Sequence, residues 1–257
     1  MIIDTHAHYD EDRFAEDLPE ILAGFPAAGV RWAVNVGASW QGCLDSVRLA
    51  HEYDCLWAAV GLHPDDIADL TEDHIAWMRE AANDPKVVAI GEIGLDYHWM
   101  VRPKEEQAAG FIRQMDLARE LGLPINVHCR DAAEDLLTLI TAHGQGLGGI
   151  IHCYSGGVDH AKKYVSMGYH LGIGGVVTFK NGRRLKEVVA AMPLSALVLE
   201  TDSPYLAPEP HRGTRNDSRN LPLVAAAIAE IKGISVEEVV EATYQNALTA
   251  YPKLSIG

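Results

Sequence analysis

The stretch Met1-Ile2-Ile3-Asp4-Thr5-His6-Ala7-His8 opens with three apolar residues and ends with two histidines two positions apart. The apolar residues predict a buried strand at Ile2–Thr5. Because side chains alternate along a strand, His6 and His8 are expected to project to the same side at its end. Neutral imidazole is a common ligand of zinc and similar ions. An isolated pair of this kind also arises by chance, so its meaning depends on the rest of the chain.

Seven further short apolar runs follow along the chain, separated by longer amphipathic segments. The eight runs are Ile2–Thr5, Trp32–Gly37, Leu56–Gly61, Val87–Glu92, Leu123–His128, Gly149–Cys153, Tyr169–Gly174 and Leu197–Asp202. The segments between them include predicted helices at Ala15–Ala28, Gln41–Tyr53, Thr71–Ala82, Glu105–Leu121 and Ala132–His143. Repeated strand–helix units with almost continuously apolar strands predict a parallel sheet that is covered on both faces.

The number of these units favours a closed barrel. Eight strand–helix units in 257 residues match the (β/α)8 TIM barrel, an α/β fold of about 250 residues. An open doubly wound sheet is the alternative, but no Gly-x-Gly-x-x-Gly follows the first strand. Two further helices are predicted at Asp217–Ile231 and Val236–Ala250, the second with a capping box formed by Ser235 and Glu238. Since no linker or repeat is visible, residues 1–257 are expected to form a single domain.

The charge of the chain restricts its binding partners. A formal net charge of −15 argues against binding nucleic acid through a broad basic surface. Residues 1–101 hold 19 acidic and 5 basic side chains, whereas residues 102–257 hold 17 and 16. The late basic residues could receive an anionic ligand or could simply be solvated. They are Lys180, Arg183, Arg184, Lys186, Arg212, Arg215 and Arg219.

Composition also points to a compartment. No segment approaches the roughly 20 consecutive apolar residues of a membrane span, and no basic-then-apolar signal peptide opens the sequence. The four cysteines show no Cys-x-x-Cys spacing and are too few for a disulfide scaffold. A cytoplasmic monomer that does not contact membranes is expected. Cys129 and Cys153 directly follow histidines and are expected to lie in the core, not to bind metal.

Side chains that can bind metal ions recur where the predicted strands end. Together with the first histidine pair, the set comprises His6, His8, Glu92, His128, His152 and Asp202. Each of them alone could be an ordinary hydrogen-bonded core residue. The active sites of such barrels lie at the C-terminal ends of the strands, however, so five strand ends with these groups predict a metal site there. Six donors divide naturally between two divalent ions, with Glu92 as the bridge.

Several motifs extend this set. They are Asp4-Thr5-His6-Ala7-His8, Gly61-Leu62-His63-Pro64, Gly91-Glu92-Ile93-Gly94-Leu95-Asp96-Tyr97-His98, Val127-His128-Cys129-Arg130-Asp131-Ala132, His152-Cys153-Tyr154-Ser155-Gly156, Glu200-Thr201-Asp202-Ser203-Pro204-Tyr205 and Arg212-Gly213-Thr214-Arg215-Asn216. With these motifs the chain resembles, essentially from end to end, the TatD-type metal-dependent hydrolases, a deoxyribonuclease-like branch of the amidohydrolase superfamily. The resemblance implies two divalent metal ions (Zn²⁺, Mg²⁺ or Mn²⁺) held by the six residues above. It also implies phosphodiester hydrolysis by a metal-activated water, on nucleic acid such as single-stranded DNA or DNA ends, in the manner of a 3′-5′ exonuclease.

Catalytic and substrate-binding roles are predicted for several residues. The resemblance implies that Asp202 orients or deprotonates the attacking water as well as binding a metal, with Glu92 beside it in the catalytic centre. His63, in a turn after the third strand, is a candidate for contacting the phosphate or protonating the leaving group. Otherwise it stabilises the turn. Ser155 and Gly156 open a predicted helix whose free amides can hold an anion, or they serve as its cap.

Two arginines are further candidates for binding the substrate. Arg130 can hold phosphate oxygens through its guanidinium fork, or it can pair structurally with Asp131 or Glu134. Arg212 follows two prolines in a loop that is expected to lie over the site.

Two other functions remain open. A hydrolase that cleaves C–N or C–O bonds, such as a deaminase, lactonase or deacylase, would use the same scaffold and ligands. The glutamate on the fourth strand favours the deoxyribonuclease-like branch, and the acidic surface favours the alternative. A non-catalytic metal-binding protein would need no water-activating aspartate, and Asp202 argues against it.

Overall fold

The computed structural model describes residues 1–256, apart from the side chains of Asp69, Ser255 and Ile256. Eight parallel strands hydrogen-bond to one another in the order of the sequence. They are β1 (Ile2–Ala7), β2 (Val30–Val36), β3 (Leu56–Val60), β4 (Val87–Asp96), β5 (Ile125–Arg130), β6 (Gly149–Ile151), β7 (Tyr169–Ile173) and β8 (Leu197–Leu199). The predicted parallel α/β architecture is therefore confirmed.

Helices alternate with these strands and lie outside them. They are α1 (Leu18–Ala23), α2 (Trp40–Glu52), α3 (Glu72–Ala81), α4 (Lys104–Leu121), α5 (Ala133–His143), α6 (Val158–Ser166), α7 (Arg183–Ala191), α8 (Leu221–Lys232) and α9 (Val236–Ala250). The capping box predicted for α9 is present, since Ser235 and Glu238 bond to each other's backbone amides. None of the helices among the described residues is long and apolar enough to cross a membrane.

The sheet closes into a nearly complete barrel where β1 meets the chain that follows β8. The amide of His8 donates to the carbonyl of Ser203 at 2.8 Å, and the amide of Asp202 donates to the carbonyl of His6 at 3.0 Å. The hydroxyl of Thr5 also donates to the carbonyl of Leu199 at 3.0 Å. The seam thus brings the first histidine pair beside the aspartate that is almost 200 residues away in sequence.

Some predicted boundaries are wrong. The first helix does not run over Ala15–Ala28, because α1 covers only Leu18–Ala23 and short 3-10 turns flank it. Pro26 cannot donate a helical hydrogen bond and its ring clashes with the preceding turn, so the helix ends before it. Similarly, the helix predicted from Asp217 begins only at Leu221, with a proline in its first turn.

The strand ends also differ from the predictions. β4 continues past Glu92 to Asp96, because Ile93 through Asp96 pair with β5. In contrast, β6 ends at Ile151 and β8 at Leu199, before the predicted functional residues. His152 and Asp202 therefore lie on irregular backbone just beyond their strands.

Apolar side chains fill both the space around the barrel and its interior. The larger cluster lies between the strands and the surrounding helices. A second cluster packs inside the barrel, where Tyr251 and Leu254 from the end of the described chain contact strand residues such as Ile3 and Val88. Consequently the barrel is a packed scaffold, and its chemistry is confined to the strand ends.

Candidate metal centre

The six predicted ligands come together at one rim of the barrel. On the β1–β8 side, the Nε2 atoms of His6 and His8 lie 3.0 Å apart. One oxygen of Glu92 is 3.6 and 3.5 Å from these two nitrogens, and one oxygen of Asp202 is 3.7 and 3.6 Å from them. Two imidazoles and two carboxylates thus face a common point.

The other oxygen of Glu92 faces the histidines of β5 and β6. Oε1 lies 2.7 Å from Nδ1 of His128 and 2.9 Å from Nε2 of His152. These two nitrogens are 3.2 Å apart, and the ring of His152 stacks on that of His6 with centroids at 3.8 Å. Glu92 therefore lies between two groups of potential ligands. One of its oxygens faces His6 and His8, and the other faces His128 and His152.

Hydrogen bonds on the far side of each ring define which nitrogen is available. His8 donates from Nδ1 to the carbonyl of Val36 at 2.8 Å, and His6 donates from Nδ1 to the side-chain oxygen of Asn126 at 2.9 Å. Their Nε2 atoms are consequently left as acceptors that face each other and the carboxylates. Acceptors arranged in this way need protons or cations between them, so the donor set fits divalent metal ions.

His128 is held in the opposite tautomer by a residue that the sequence analysis missed. Its Nε2 donates to Oδ2 of Asp96 at 3.1 Å, which leaves Nδ1 to face Glu92. Asp96 is 2% exposed and also accepts amide hydrogen bonds from His98 and Trp99. Burial opposes its ionisation, but the bonds to His128 and to these amides lower its pKa to about 2. A carboxylate that stays ionised behind a ligand orients it and increases its basicity.

Glu200 is the second residue that was missed. It is fully buried, and Oε1 accepts the amide of Cys153 at 2.5 Å. Nδ1 of His152 lies 3.8 Å from the same oxygen and has no hydrogen-bond partner among the described residues. Glu200 is two residues before Asp202 in the strand predicted at Leu197–Asp202, so the alternation of side chains was a signal for it. Asp96 lies beyond the predicted end of β4 and left no such signal.

Charge in the absence of metal is balanced within the cluster. Burial opposes ionisation of Glu92, but the imidazoles around it hold its pKa well below the usual range. Burial likewise disfavours protonated His8 and His128. Nevertheless, the adjacent carboxylates raise the pKa of His8 to about 10 and that of His128 to about 9. Without metal, these two imidazoles therefore carry the protons that lie between the acceptors.

Asp202 adopts a left-handed backbone conformation, with φ at 56°. Non-glycine residues rarely occupy this region, and those that do cluster at functional sites. Its amide is bound to the carbonyl of His6, and its own carbonyl accepts the amide of Tyr205 at 2.8 Å. Despite burial, the hydrogen bond from His8 and the nearby imidazoles lower the pKa of its carboxyl, so the carboxyl is ionised.

His63 lies at the edge of the cluster. Its ring meets that of His128 edge to face, with centroids 4.3 Å apart. Nδ1 accepts the amide of Asp65 at 3.2 Å, so the proton of neutral His63 resides on Nε2. Burial and the proximity of His128 lower its pKa to about 4.

The remaining predicted substrate residues lie farther from the cluster. The guanidinium of Arg130 sits over the ring of Trp99 at 5.5 Å. The structural pairing offered for it is wrong, because Asp131 contacts His98 and Glu134 contacts His160. Among the described residues, Arg130 forms a salt bridge with neither of these carboxylates.

Ser155 and Gly156 precede α6, as predicted, but the N-cap of α6 is Gly157 and has no side-chain cap. The capping role considered for Ser155 is therefore wrong. Arg212 packs over the ring of Phe179 at 4.2 Å, and no contact joins it to the six clustered residues within the described part of the chain.

A nearly closed barrel of eight parallel strands, with imidazoles and carboxylates gathered at the strand ends, defines a metal-dependent hydrolase. Residues 3–252 match the family model described as TatD related DNase. The chain therefore belongs to this family, and the resemblance inferred from the motifs is confirmed.

Individual relatives cover the chain almost completely. YabD of Bacillus subtilis, an uncharacterized metal-dependent hydrolase, is 42% identical over 96% of this chain and 97% of its own. TatD of Rahnella sp., a 3′-5′ ssDNA/RNA exonuclease, is 33% identical over 95% of this chain and 93% of its own. The crystal structure of YjjV, a TatD homolog from Escherichia coli, covers 98% of both chains with a TM-score of 0.88 and 29% identity.

Proposed function

We propose that this protein hydrolyses phosphodiester bonds in nucleic acid, as a deoxyribonuclease that acts on single strands from the 3′ end. The observation that carries the proposal is the position of Glu92, whose two oxygens face separate donor groups. This arrangement suits two ions bridged by one carboxylate, which is common among nucleases and phosphatases. The relative named as a 3′-5′ ssDNA/RNA exonuclease supports the same class of substrate.

The six clustered residues would hold two divalent ions, for which Zn²⁺, Mg²⁺ and Mn²⁺ are the candidates. Bound ions of this kind lower the pKa of water and neutralise charge on phosphoryl oxygens. The ionised carboxylate of Asp202 would accept a proton from the attacking water. The neutral ring of His63 carries its proton on Nε2 and would donate a hydrogen bond from this nitrogen to a phosphate oxygen or to the oxygen of the leaving group.

The predicted substrate residues remain part of this proposal. Arg130 is exposed at the end of β5 and has no carboxylate partner within the described residues, so its charge is available to a phosphate. Ser155 and Gly156 line a cavity that His152 also lines. Arg212 is exposed on the loop that follows β8. It would contact only a nucleic-acid strand that extends beyond the clustered residues.

A direct assay tests the function. Metal-free protein is reconstituted with Mg²⁺, Mn²⁺ or Zn²⁺ and incubated with a single-stranded oligonucleotide labelled at its 5′ end. We expect a ladder that shortens from the 3′ end and disappears with EDTA. Glu92→Gln should abolish the activity, whereas Glu120→Gln, at an exposed salt bridge with Arg79, should retain it. Absence of cleavage with every metal would refute the proposal.

The same preparation distinguishes the alternatives. Metal-dependent cleavage of amides, lactones or amino-pyrimidines without any phosphodiesterase activity would indicate the C–N or C–O hydrolase. Tight metal binding without turnover of any substrate would indicate a non-catalytic metal-binding protein.

A cytoplasmic monomer formed by one domain completes the proposal. The four cysteines are free thiols, which suits a reducing compartment. Gel filtration with light scattering should give the mass of one 28.0 kDa chain, and limited proteolysis should leave no smaller stable fragment.

A further inference from the structure

The imidazole of His152 differs from the other three in the candidate metal centre, because no acceptor bonds to its far side. The other three rings each donate to an oxygen behind them: His6 to Asn126, His8 to Val36 and His128 to Asp96. His152 is 4% exposed, and its Nδ1 has no hydrogen-bond partner among the described residues. Because a buried polar atom is costly to leave unpaired, this nitrogen calls for an explanation.

The carboxyl of Glu200 lies opposite this nitrogen. Glu200 is fully buried, and its Oε1 is 3.8 Å from Nδ1 of His152. The same oxygen accepts the amide of Cys153 at 2.5 Å. Cys153 follows His152 directly and adopts a left-handed backbone conformation, with φ at 43°, which non-glycine residues rarely do. The backbone therefore holds the oxygen of Glu200 beside the ring of His152.

Gly172 on β7 leaves room for this carboxyl. A Cβ atom at Gly172 would lie only 2.0 Å from Oε2 of Glu200, so the carboxyl occupies the space that a side chain at this position would fill. Oε2 also has no hydrogen-bond partner among the residues that the structure describes. The Glu200 carboxyl is thus fixed by the amide of Cys153 on one side and by the backbone of β7 on the other.

The position of the ring proton explains why Nδ1 of His152 and Oε1 of Glu200 stay apart. Nε2 of His152 lies 2.9 Å from Oε1 of Glu92, which fits a proton on Nε2 and leaves Nδ1 as an acceptor. Two acceptors then face each other with no proton between them, at 3.8 Å instead of the roughly 2.7–3.2 Å of a hydrogen bond. If Nε2 binds a metal ion, however, the proton of the neutral ring has to reside on Nδ1.

We propose that Glu200 is the positioning residue of His152. When Nε2 of His152 holds a metal ion, Nδ1 donates its proton to Oε1 of Glu200, which orients the ring and increases its basicity. The two atoms need to approach by less than about 1 Å, and Oε1 can accept in either protonation state of the carboxyl. This inference rests on the metal centre of the proposed function, but it holds whichever bond the enzyme hydrolyses.

NMR of protein with ¹⁵N-labelled histidines tests the proposal without any substrate. We expect the proton of His152 on Nε2 in metal-free protein and on Nδ1 with Zn²⁺, where hydrogen bonding should shift its signal far downfield. Glu200→Met keeps a similar volume but removes the acceptor, so this signal should move upfield, while the Nδ1 protons of His6 and His8 should keep their positions. Glu200→Gln retains an oxygen that the amide of Cys153 can hold in place, and it should give an intermediate shift.

Metal affinity, measured by competition with a fluorescent chelator, is the second readout. Glu200→Met should bind Zn²⁺ about 10–100-fold more weakly than the wild type, and Glu200→Gln should lie between them. Glu120→Met, at an exposed salt bridge with Arg79, is the matched control and should bind as the wild type does. A merely structural Glu200 would change the stability of the fold but neither the His152 signal nor the affinity of the folded protein.

Several outcomes would overturn the proposal. A His152 signal that is the same in the Zn²⁺-loaded wild type and in Glu200→Met, or an unchanged affinity in Glu200→Met, would refute the role of Glu200. If Glu200→Met does not fold, an unshifted signal in Glu200→Gln would refute it. Failure of the wild type to bind any metal would refute the metal centre as well. The expected signals and affinities in a protein that cleaves no phosphodiester would support the role of Glu200 and refute only the proposed substrate.

Discussion

At the scale of single residues, the geometry of the candidate metal centre depends on the oxygen atoms that lie behind the candidate ligands. Val36, Asn126 and Asp96 each accept a hydrogen bond from one imidazole and so determine which nitrogen faces the centre. His128 alone presents Nδ1, because Asp96 takes its Nε2 proton. The identity of the candidate ligands and the orientation of their imidazole rings therefore depend on different residues. Each can be tested by its own substitution.

Replacing Asp96 with asparagine should weaken metal binding without removing any ligand. The amide is uncharged, so it supports the Nε2 proton of His128 less strongly, and metal affinity should fall roughly 10–100-fold. Competition with a fluorescent chelator measures the change. Asp116→Asn, at an exposed pair with Arg119, is the control and should match the wild type. An unaltered affinity in Asp96→Asn would show that the orientation of His128 does not depend on this carboxylate.

Metal binding should also release protons. The raised pKa values of His8 (about 10) and His128 (about 9) mean that both imidazoles are protonated at neutral pH when no metal is present. An ion must displace these protons, so affinity should fall as the pH is lowered, by about tenfold per pH unit for each proton displaced. Calorimetry in two buffers of different ionisation enthalpy counts the protons. Affinity that is independent of pH between 6 and 8 would contradict this charge distribution.

At the scale of elements, β4 and β5 bring two of the candidate ligands, Glu92 and His128, together. They pair from Ile93 through Asp96, and Gly94 makes this possible. Its φ is +152°, and a Cβ atom at this position would lie 2.0 Å from the carbonyl oxygen of His128. The glycine therefore permits the close backbone approach that places His128 beside Glu92.

Gly94→Ala should reduce the free energy of unfolding by about 3–5 kcal/mol, from backbone strain together with overpacking. Urea unfolding monitored by circular dichroism measures it. Gly122→Ala is the control, since Gly122 has a positive φ of +65° but no atom of the described residues lies within 4 Å of the point that its Cβ would occupy. It should cost only about 1–2 kcal/mol. Equal losses in the two variants would show that the contact with His128 is unimportant.

The elements also show how far sequence reasoning reaches. The boundaries of α9 follow from Ser235, Glu238 and apolar periodicity, all local signals, and they were predicted correctly. The extension of β4 to Asp96 could not be predicted from local signals, because it depends on pairing with β5. The early end of α1 is a local effect of Pro26, so it could have been predicted from the sequence.

For the site, strand-end positions were enough to find the six clustered residues. The partners behind them were not found, because Asp96 and Glu200 act through contacts with residues on other strands. The stacking of Arg130 on Trp99 was equally inaccessible, since it depends on the path of the loop that follows β4.

At the scale of the whole molecule, the candidate ligands connect segments that are distant in sequence. His6 and His8 belong to β1 and the residue after it, whereas Asp202 follows β8, and these residues meet at the seam that closes the barrel. Asn126 extends this connection inward, because it accepts from His6 and donates to the hydroxyl of Tyr251 at 2.6 Å. Ions bound at the centre would therefore brace the seam as well as serve the reaction.

Removing metal should accordingly destabilise the barrel, and most strongly at this seam. At a metal concentration 100 times the dissociation constant, binding to the folded state alone contributes about 2.7 kcal/mol, which for a chain of this size raises Tm by about 5–10 °C. Hydrogen exchange should show the largest loss of protection with EDTA at residues 6–8 and 201–203, and a smaller one where β2 pairs with β3. Glu92→Gln should lose the metal-dependent rise in Tm, and the exposed Glu120→Gln should keep it. A rise that persists in Glu92→Gln would place the stabilising ion elsewhere in the protein.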